Sequence, residues 1–360
     1  MSAASIPRRF ASIDALRGCT VAAMLLVNDP GDWSHIYWPL EHSVWNGCTP
    51  TDLVFPFFLF VVGVSVALGI EPRVQPGVAK APLRKAVLWR ALRVVGLGLA
   101  LNLLGWWVMP QVTHFRVPGV LQRIGVCFAA TAILAIDTRP RTQAILVAAL
   151  LLGYAWLLHW GGTLEPWANI VSRVDSAVFQ SHVYEIDPAS GRGHDPEGLL
   201  GTLPSLIDCL LGLFAGRWLR QGRPKRLIGA GLLILLAGLA WSFWLPWNKN
   251  LWTSSFALWT SGWGMLAVAL FHWLVDVRGL PPLGRRFGVN AVAAYALSDL
   301  LIFLLVGTGW LVPLYDRLFA GTLAPQFGPW IASLAFALVF VAVCWLVVGW
   351  MDRRRWYLKL

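Results

Sequence analysis

The chain has 360 residues, of which 57% are hydrophobic and only 13% charged, with a mean hydropathy of +0.63. A soluble globular domain carries close to twice that charge, so the composition excludes one and points to a protein built in lipid. The net charge of +11 is spread as short basic clusters between apolar runs, which fits orientation in a membrane and excludes a nucleic-acid binder.

Apolar stretches of single-crossing length recur along the sequence, at roughly 13–28, 52–70, 87–109, 118–136, 142–160, 199–219, 227–245, 252–275, 287–306 and 330–350. None alternates as a barrel strand does, so the expected fold is an all-α polytopic bundle of about ten transmembrane helices, a single domain over 1–360. Ahead of the first span, Arg8 and Arg9 form a basic start with no cleavage signature after it, which reads as an uncleaved anchor. With the N-terminus inside, 22 basic residues fall on inner segments. Only Arg116, Arg173, Arg192, Lys249 and Arg317 fall on outer ones. That asymmetry places both termini in the cytoplasm, with the polar and His-bearing loops on the extracytoplasmic side of a plasma (bacterial inner) membrane.

The first outer loop, 29–51, has no Lys or Arg but carries Asp29, Asp32, His35, Glu41 and His42. The longest, 161–198, contains an expected amphipathic helix near 168–180 and ends in Asp195-Pro196-Glu197-Gly198, where Asp195 is expected to cap the sixth span. Gly212-x-x-x-Gly216 in that span reads as a helix-packing motif. A third polar turn runs Asn248-Lys249-Asn250 between Trp247 and Trp252. Five cysteines show no close pairing and no CxxC, and the histidine spacing matches no ligand signature, so neither a disulfide framework nor a metal is expected. There is no P-loop, GxGxxG or internal repeat.

The densest polar stretch is His42-Ser43-Val44-Trp45-Asn46-Gly47-Cys48-Thr49-Pro50-Thr51-Asp52, which leads directly into an apolar span. Polar groups set against hydrocarbon are costly and need a reason. An imidazole titrates near neutrality, so His42 is the candidate general base, against the plain alternative of a loop histidine at headgroup level. Asp52 either orients His42 through Nδ1 or only favours the positive end of the second helix. Asn28 either donates to a reacting carbonyl or only ends the first helix. Arg17 and Arg123 fall within spans, where a guanidinium needs a partner or a polar ligand. Arg17 has Asp14 one turn away, and Gln122 adjoins Arg123.

Arg9-Phe10-Ala11-Ser12-Ile13-Asp14-Ala15-Leu16-Arg17-Gly18, Val27-Asn28, the His42–Gly47 stretch and Thr51-Asp52-Leu53-Val54-Phe55-Pro56 occur in this order. They are followed by Val117-Pro118-Gly119-Val120-Leu121-Gln122-Arg123-Ile124-Gly125, Asp195–Gly198, Asn248-Lys249-Asn250-Leu251-Trp252 and Gly288-Val289-Asn290-Ala291. Together these resemble the heparan-α-glucosaminide N-acetyltransferase family of transmembrane acyltransferases, with Asp29-Pro30 after Asn28 as a departure from it. The resemblance implies an acetyltransferase that takes acetyl from cytoplasmic acetyl-CoA and places it on the amino group of a glucosamine-like sugar across the membrane. The family's active-site histidine falls on His42, and its nearby Asn and Asp on Asn28 and Asp52.

On that expectation Asp14, Arg17, Gln122, Arg123 and Asn290 are candidates for the donor site, since guanidinium suits the phosphates of coenzyme A. Trp45, Asn46, Glu197, Asn248, Lys249 and Asn250 are candidates for the sugar. The expected partners are the amino-sugar or glycan acceptor and the lipid bilayer, with a homodimer left open. Direct transfer and an acetyl-histidine intermediate both remain open. So does the rival class, a transporter or flippase for a sugar or lipid-linked sugar with His42 and Arg123 along a polar path.

Overall fold

With no water in hydrocarbon to satisfy backbone amides, these apolar runs close their hydrogen bonds internally, as helices. The computed structural model describes residues 10–358; Arg8, Arg9 and Lys359, counted above among the inner basic residues, lie outside them. The helices are α1 (Ala11–Asn28), α2 (Val54–Gly69), α3 (Ala81–Val108), α4 (Val120–Asp137), α5 (Pro140–Trp160), α6 (Ile170–Phe179) and α7 (Leu199–Arg220). They continue as α8 (Pro224–Ser242), α9 (Ser254–Phe271), α10 (Arg285–Val289), α11 (Ala291–Gly307), α12 (Leu311–Tyr315), α13 (Gly321–Phe327) and α14 (Pro329–Arg353). The strands are a two-residue pair in the 161–198 loop, β1 (Glu185–Ile186) antiparallel to β2 (Gly193–His194). Prolines open α3, α5, α8 and α14, where the missing N–H costs nothing.

Among the described residues, nine helices are long and apolar enough to cross a membrane, and α11 with α12–α13 makes a tenth if that pair, bent by 99°, is one span. The expected all-α multi-pass bundle is therefore what forms. The amphipathic helix near 168–180 is α6. Two boundaries differ from expectation. α3 begins at Ala81, six residues before the expected start, because Pro82 initiates it among basic residues. The ninth span is broken at Asn290. There Gly288 abuts the backbone of Asp14, and Gly18 abuts Gly284 and Gly288, so closely that any Cβ would collide. That backbone contact holds α10 as a short wedge against α1 and forces a new start at Ala291.

The centre of the bundle is the pair α2 and α7. Gly63 lies on the backbone of Cys209, Gly212 on that of Phe60, and Gly216 on Ala67 and Val64. The Cys209 thiol donates to the Leu59 carbonyl at 3.1 Å. The Gly212–Gly216 pair thus does what small residues do between membrane helices. Asp208, fully buried in α7, accepts from Trp252 Nε1 at 2.9 Å, Thr260 Oγ1 at 3.0 Å and Ser261 Oγ at 2.8 Å.

Ion pairs gather at the two ends of the bundle. At one end Glu71 holds Arg217 and Arg220, Asp137 holds Arg84, and Asp352 holds Arg285. At the other, where α2 starts and α3 ends, sit the loops 29–53, 161–198 and 243–253.

Candidate active site

The head of α2 is built by a short 3-10 turn, Pro50–Leu53, with Thr49 and Asp52 forming a reciprocal cap. Asp52 is fully buried. Its Oδ2 accepts from Thr49 N–H at 2.9 Å, Ser43 N–H at 3.1 Å and Thr49 Oγ1 at 3.1 Å. These bonds fix the carboxylate and leave Oδ1 for His42 Nδ1, 2.7 Å away. A buried carboxylate with three other donors is an acceptor there, so Nδ1 carries the proton and Nε2 presents its lone pair. The His42 side chain remains 44% exposed. Both expectations for Asp52, helix cap and imidazole partner, describe the same side chain through its two oxygens.

The third polar turn closes over this pair. Asn248 Oδ1 accepts from Leu251 N–H at 2.8 Å, and its Nδ2 donates to Asn46 Oδ1 at 3.1 Å. Gly47, at φ +126°, donates its N–H to the Trp247 carbonyl at 2.7 Å, a conformation that favours glycine. These bonds bring Lys249 Nζ to 3.1 Å from both ring nitrogens of His42 and 3.9 Å from Asp52 Oδ1. Burial lowers the Lys249 ammonium below its usual value, although Asp52 and Glu197 favour its charge. Asn250 is half-buried in the same turn, and Asn28 is exposed at the end of α1. Trp45 donates Nε1 to the Leu164 carbonyl at 2.9 Å and meets the His194 ring edge-on at 5.3 Å, so its ring anchors the 161–198 loop.

Asp195 does not cap α7; Gly198 takes that position. Asp195 is instead drawn away by Arg116, whose Nε and Nη2 donate to it at 2.9 and 2.6 Å, while Nη2 also pairs with Glu197. Burial opposes the charge on Arg116, but the two carboxylates more than offset it and hold the guanidinium above its usual value. Burial likewise works against ionised Glu197, and Arg116, Arg123 and Lys249 outweigh it, so its carboxyl lies below the usual range.

Arg123, 2% exposed in the first turn of α4, donates Nη2 to the Gly198 carbonyl at 3.2 Å and lies 5.0 Å over the Trp252 ring. Gln122 donates to the Val117 carbonyl at 3.1 Å. These two residues therefore sit at the His42 end with Glu197 and Lys249, apart from Arg17.

Arg17 occupies the other end. It donates Nη2 to Ser65 Oγ at 2.7 Å and Nη1 to the Gly288 carbonyl at 3.0 Å, with the expected Asp14 contact at 3.4 Å. It lines a cavity of about 260 Å³ that follows one face of α2, from Phe58 past Ser65 to Gly69, and is lined further by Arg73 just beyond that helix, Arg90 of α3 and Leu358. From Phe58 to Arg73 the chain rises about 22 Å at helical pitch. Phe58 is six residues along from Asp52, and Phe55, one turn nearer to it, is buried edge-on against Trp252 at 5.4 Å. Asn290 does not line the cavity, although Val289 and Ala291 on either side of it do: its Nδ2 donates to the Trp356 carbonyl at 3.1 Å and its Oδ1 accepts from Leu358 N–H at 3.2 Å. Its side chain fastens the C-terminal segment.

The sequence offers Arg90 as an aid to donor binding but explains it, like Arg73, by orientation alone, because a basic residue at a span end carries no mark of what lies beside it. Sequence reasoning passed over Asp208, although an acid in the middle of an apolar span was a signal in plain view. Arg116 gave no local sign, since its partners are some 80 positions away, at Asp195 and Glu197.

Residues 9–241 match the model of the family described as heparan-alpha-glucosaminide N-acetyltransferase, catalytic, a match that ends before the turn carrying Lys249. The human protein named heparan-alpha-glucosaminide N-acetyltransferase is 28% identical to this chain, over 81% of this chain and 53% of its own length. The mouse protein of the same name is 25% identical, over 82% of this chain and 54% of its own. The chain thus spans about half the length of these curated relatives. With the match covering most of the helices that surround the His42–Asp52 pair, this chain belongs to the heparan-alpha-glucosaminide N-acetyltransferase catalytic family.

Proposed function

We propose that this chain is a membrane-embedded N-acetyltransferase, one catalytic unit that passes acetyl from acetyl-CoA to the amino group of a glucosamine-like sugar. The observation that carries the reading is the arrangement along α2. At its head stands the His42–Asp52 pair, and down its flank runs a cavity lined by Arg17, Arg73 and Arg90. Three guanidinium groups in one cavity suit the phosphates of coenzyme A, and its extent along α2 to Phe58 suits an extended thioester arm. The arginine end faces the cytoplasm, by the asymmetry of basic loops, and the His42 end faces the opposite compartment.

The acceptor enters as a neutral amine on the Nε2 side of His42. As its nitrogen attacks the thioester carbonyl, the new C–N bond forms and the C–S bond breaks. Nε2 removes the surplus proton, which leaves on the coenzyme A thiol. Asp52 stabilises the imidazolium formed in between. Asn46 and Asn250 offer hydrogen bonds to sugar hydroxyls from the rigid double turn, which Asn248, expected to join them but fully buried, holds together instead. Glu197 favours a cation near Lys249. Asn28, at the end of α1, is the donor available to the developing oxyanion. Phe55 and Phe58 must yield for the thioester to reach His42.

The test is acetyl transfer by purified protein from labelled acetyl-CoA to glucosamine, with His42→Ala beside wild type. Transfer should fall by about 10²–10⁴-fold, the contribution of a positioned base, while acetyl-CoA still binds. Undiminished turnover in His42→Ala removes His42 as the base, and movement of unmodified sugar into sealed vesicles without acetylation replaces the enzyme by a carrier.

A further inference from the structure

The double turn that shapes the acceptor end also places an amine of the chain itself against the imidazole. Lys249 Nζ is 3.1 Å from His42 Nε2, and Nδ1 is already committed to Asp52 at 2.7 Å. Nζ is equally close to Nδ1, so it sits beside the ring rather than in line with either nitrogen, and Nε2 is the one left free to take a proton. An ordinary surface lysine is a poor nucleophile for two reasons: it is protonated, and no base stands beside it. Lys249 has the base beside it and a weakened hold on its proton. Its side chain is only 17% exposed, and its desolvated ammonium gives up a proton more readily than a free one. Its backbone is held by the bonds Asn248 makes to Leu251 and Asn46, so base and amine are brought together by folding alone.

We infer that Lys249 is an acetyl acceptor in cis: with acetyl-CoA bound and no sugar amine present, the chain acetylates its own Lys249 Nζ. This rests on the reading of His42 as the base of an acetyltransferase. One proton leaves the Lys249 ammonium for water. The neutral amine then attacks the thioester carbonyl, forming the C–N bond as the C–S bond breaks. His42 Nε2 takes the second proton and passes it to the departing thiolate. The products are Nε-acetyl-lysine and free coenzyme A. The neutral amide then fills the place facing Nε2, so an acceptor amine both competes with Lys249 and protects it.

The experiment incubates the full-length protein in lipid nanodiscs with isotope-labelled acetyl-CoA, with and without glucosamine, and maps acetylated peptides by mass. Wild type without sugar should carry the label on Lys249 in a form stable to hydroxylamine. His42→Ala should label at least about a hundredfold more slowly, the smaller end of what a positioned base contributes. Lys249→Arg should lose that label, and glucosamine should suppress it in wild type. Transfer to glucosamine with Lys249 left unlabelled overturns the inference and spares the enzyme. Label on Lys249 no faster than on the exposed Lys80 and Lys225, or unchanged in His42→Ala, also overturns it. If neither glucosamine nor Lys249 takes label, the acetyltransferase reading falls with it.

Discussion

Asp52→Asn separates the two duties of one side chain. In the structure, Oδ2 serves the cap at the start of α2 through Thr49 and Ser43, and Oδ1 serves His42. The amide oxygen of Asn can keep the three cap bonds, but its NH₂ then faces Nδ1 as a donor. Nδ1 must become the acceptor, the proton moves to Nε2, and the base has no lone pair toward the substrate. In stability, the change replaces charge-assisted bonds by neutral ones, at a cost of about 1 kcal/mol each. In rate, a reversed tautomer costs about 10²–10⁴-fold in kcat, or roughly 2.7–5.5 kcal/mol of barrier. The assay is acetyl transfer under saturating donor, paired with thermal unfolding in the same detergent. A companion, Thr49→Val, removes part of the cap and leaves His42 its partner, so it should lower the unfolding temperature by the equivalent of about 1 kcal/mol with kcat nearly unchanged. If Asp52→Asn retains kcat within about twofold while folding normally, the carboxylate is a helix cap and nothing more.

Two further outcomes follow from other parts of the molecule. Arg90→Ala removes one of three guanidinium groups from the cavity and should weaken acetyl-CoA binding by about 10–100-fold, read by calorimetry, with kcat at saturating donor little altered. Asp175, in α6, is buried with its Oδ2 unpartnered, and burial pushes its carboxyl up to about 7. Its folded value thus exceeds its unfolded one, so the stability it contributes is full near pH 4 and is lost as pH rises to about 7. Asp175→Asn, which can still accept from Leu199 N–H, should match wild type near pH 4 and unfold at a higher temperature above pH 7. An unfolding temperature difference that does not change with pH would show that Asp175 stays in one protonation state.

What the sequence disclosed depended on how local the cause was. Span positions follow from hydropathy, a property of each window alone, and α1, α4, α5 and α14 lie within a few residues of where the runs put them. The pairing of His42 with Asp52 was legible because the two are ten residues apart at the mouth of one helix. Lys249 is some 200 positions away, and a contact set by folding leaves no trace in spacing; the motif order placed it at the acceptor but not on the imidazole. The break at Asn290 was hidden for a related reason. It comes from backbone meeting backbone at Gly288 and Asp14, and the hydropathy of 287–306 carries no sign of that. Asn290 and Arg123 attracted notice as polar groups in apolar company. Both found protein partners, the C-terminal segment and the Gly198 carbonyl, so the cost of burying them named a need but not who would meet it.

The glycine contacts between α2 and α7 bear on how a thioester and an amine from opposite compartments could ever meet. Two helices touching main chain to main chain over Gly63, Gly212 and Gly216 have no slack to slide or part. The helix bearing the histidine's carboxylate is thereby anchored to its neighbour as a fixed post. Whatever admits one reactant and then the other has to be hinged elsewhere, and α1 and α10, which line the arginine cavity and are joined main chain to main chain at Gly18 and Gly288, would have to move as one piece.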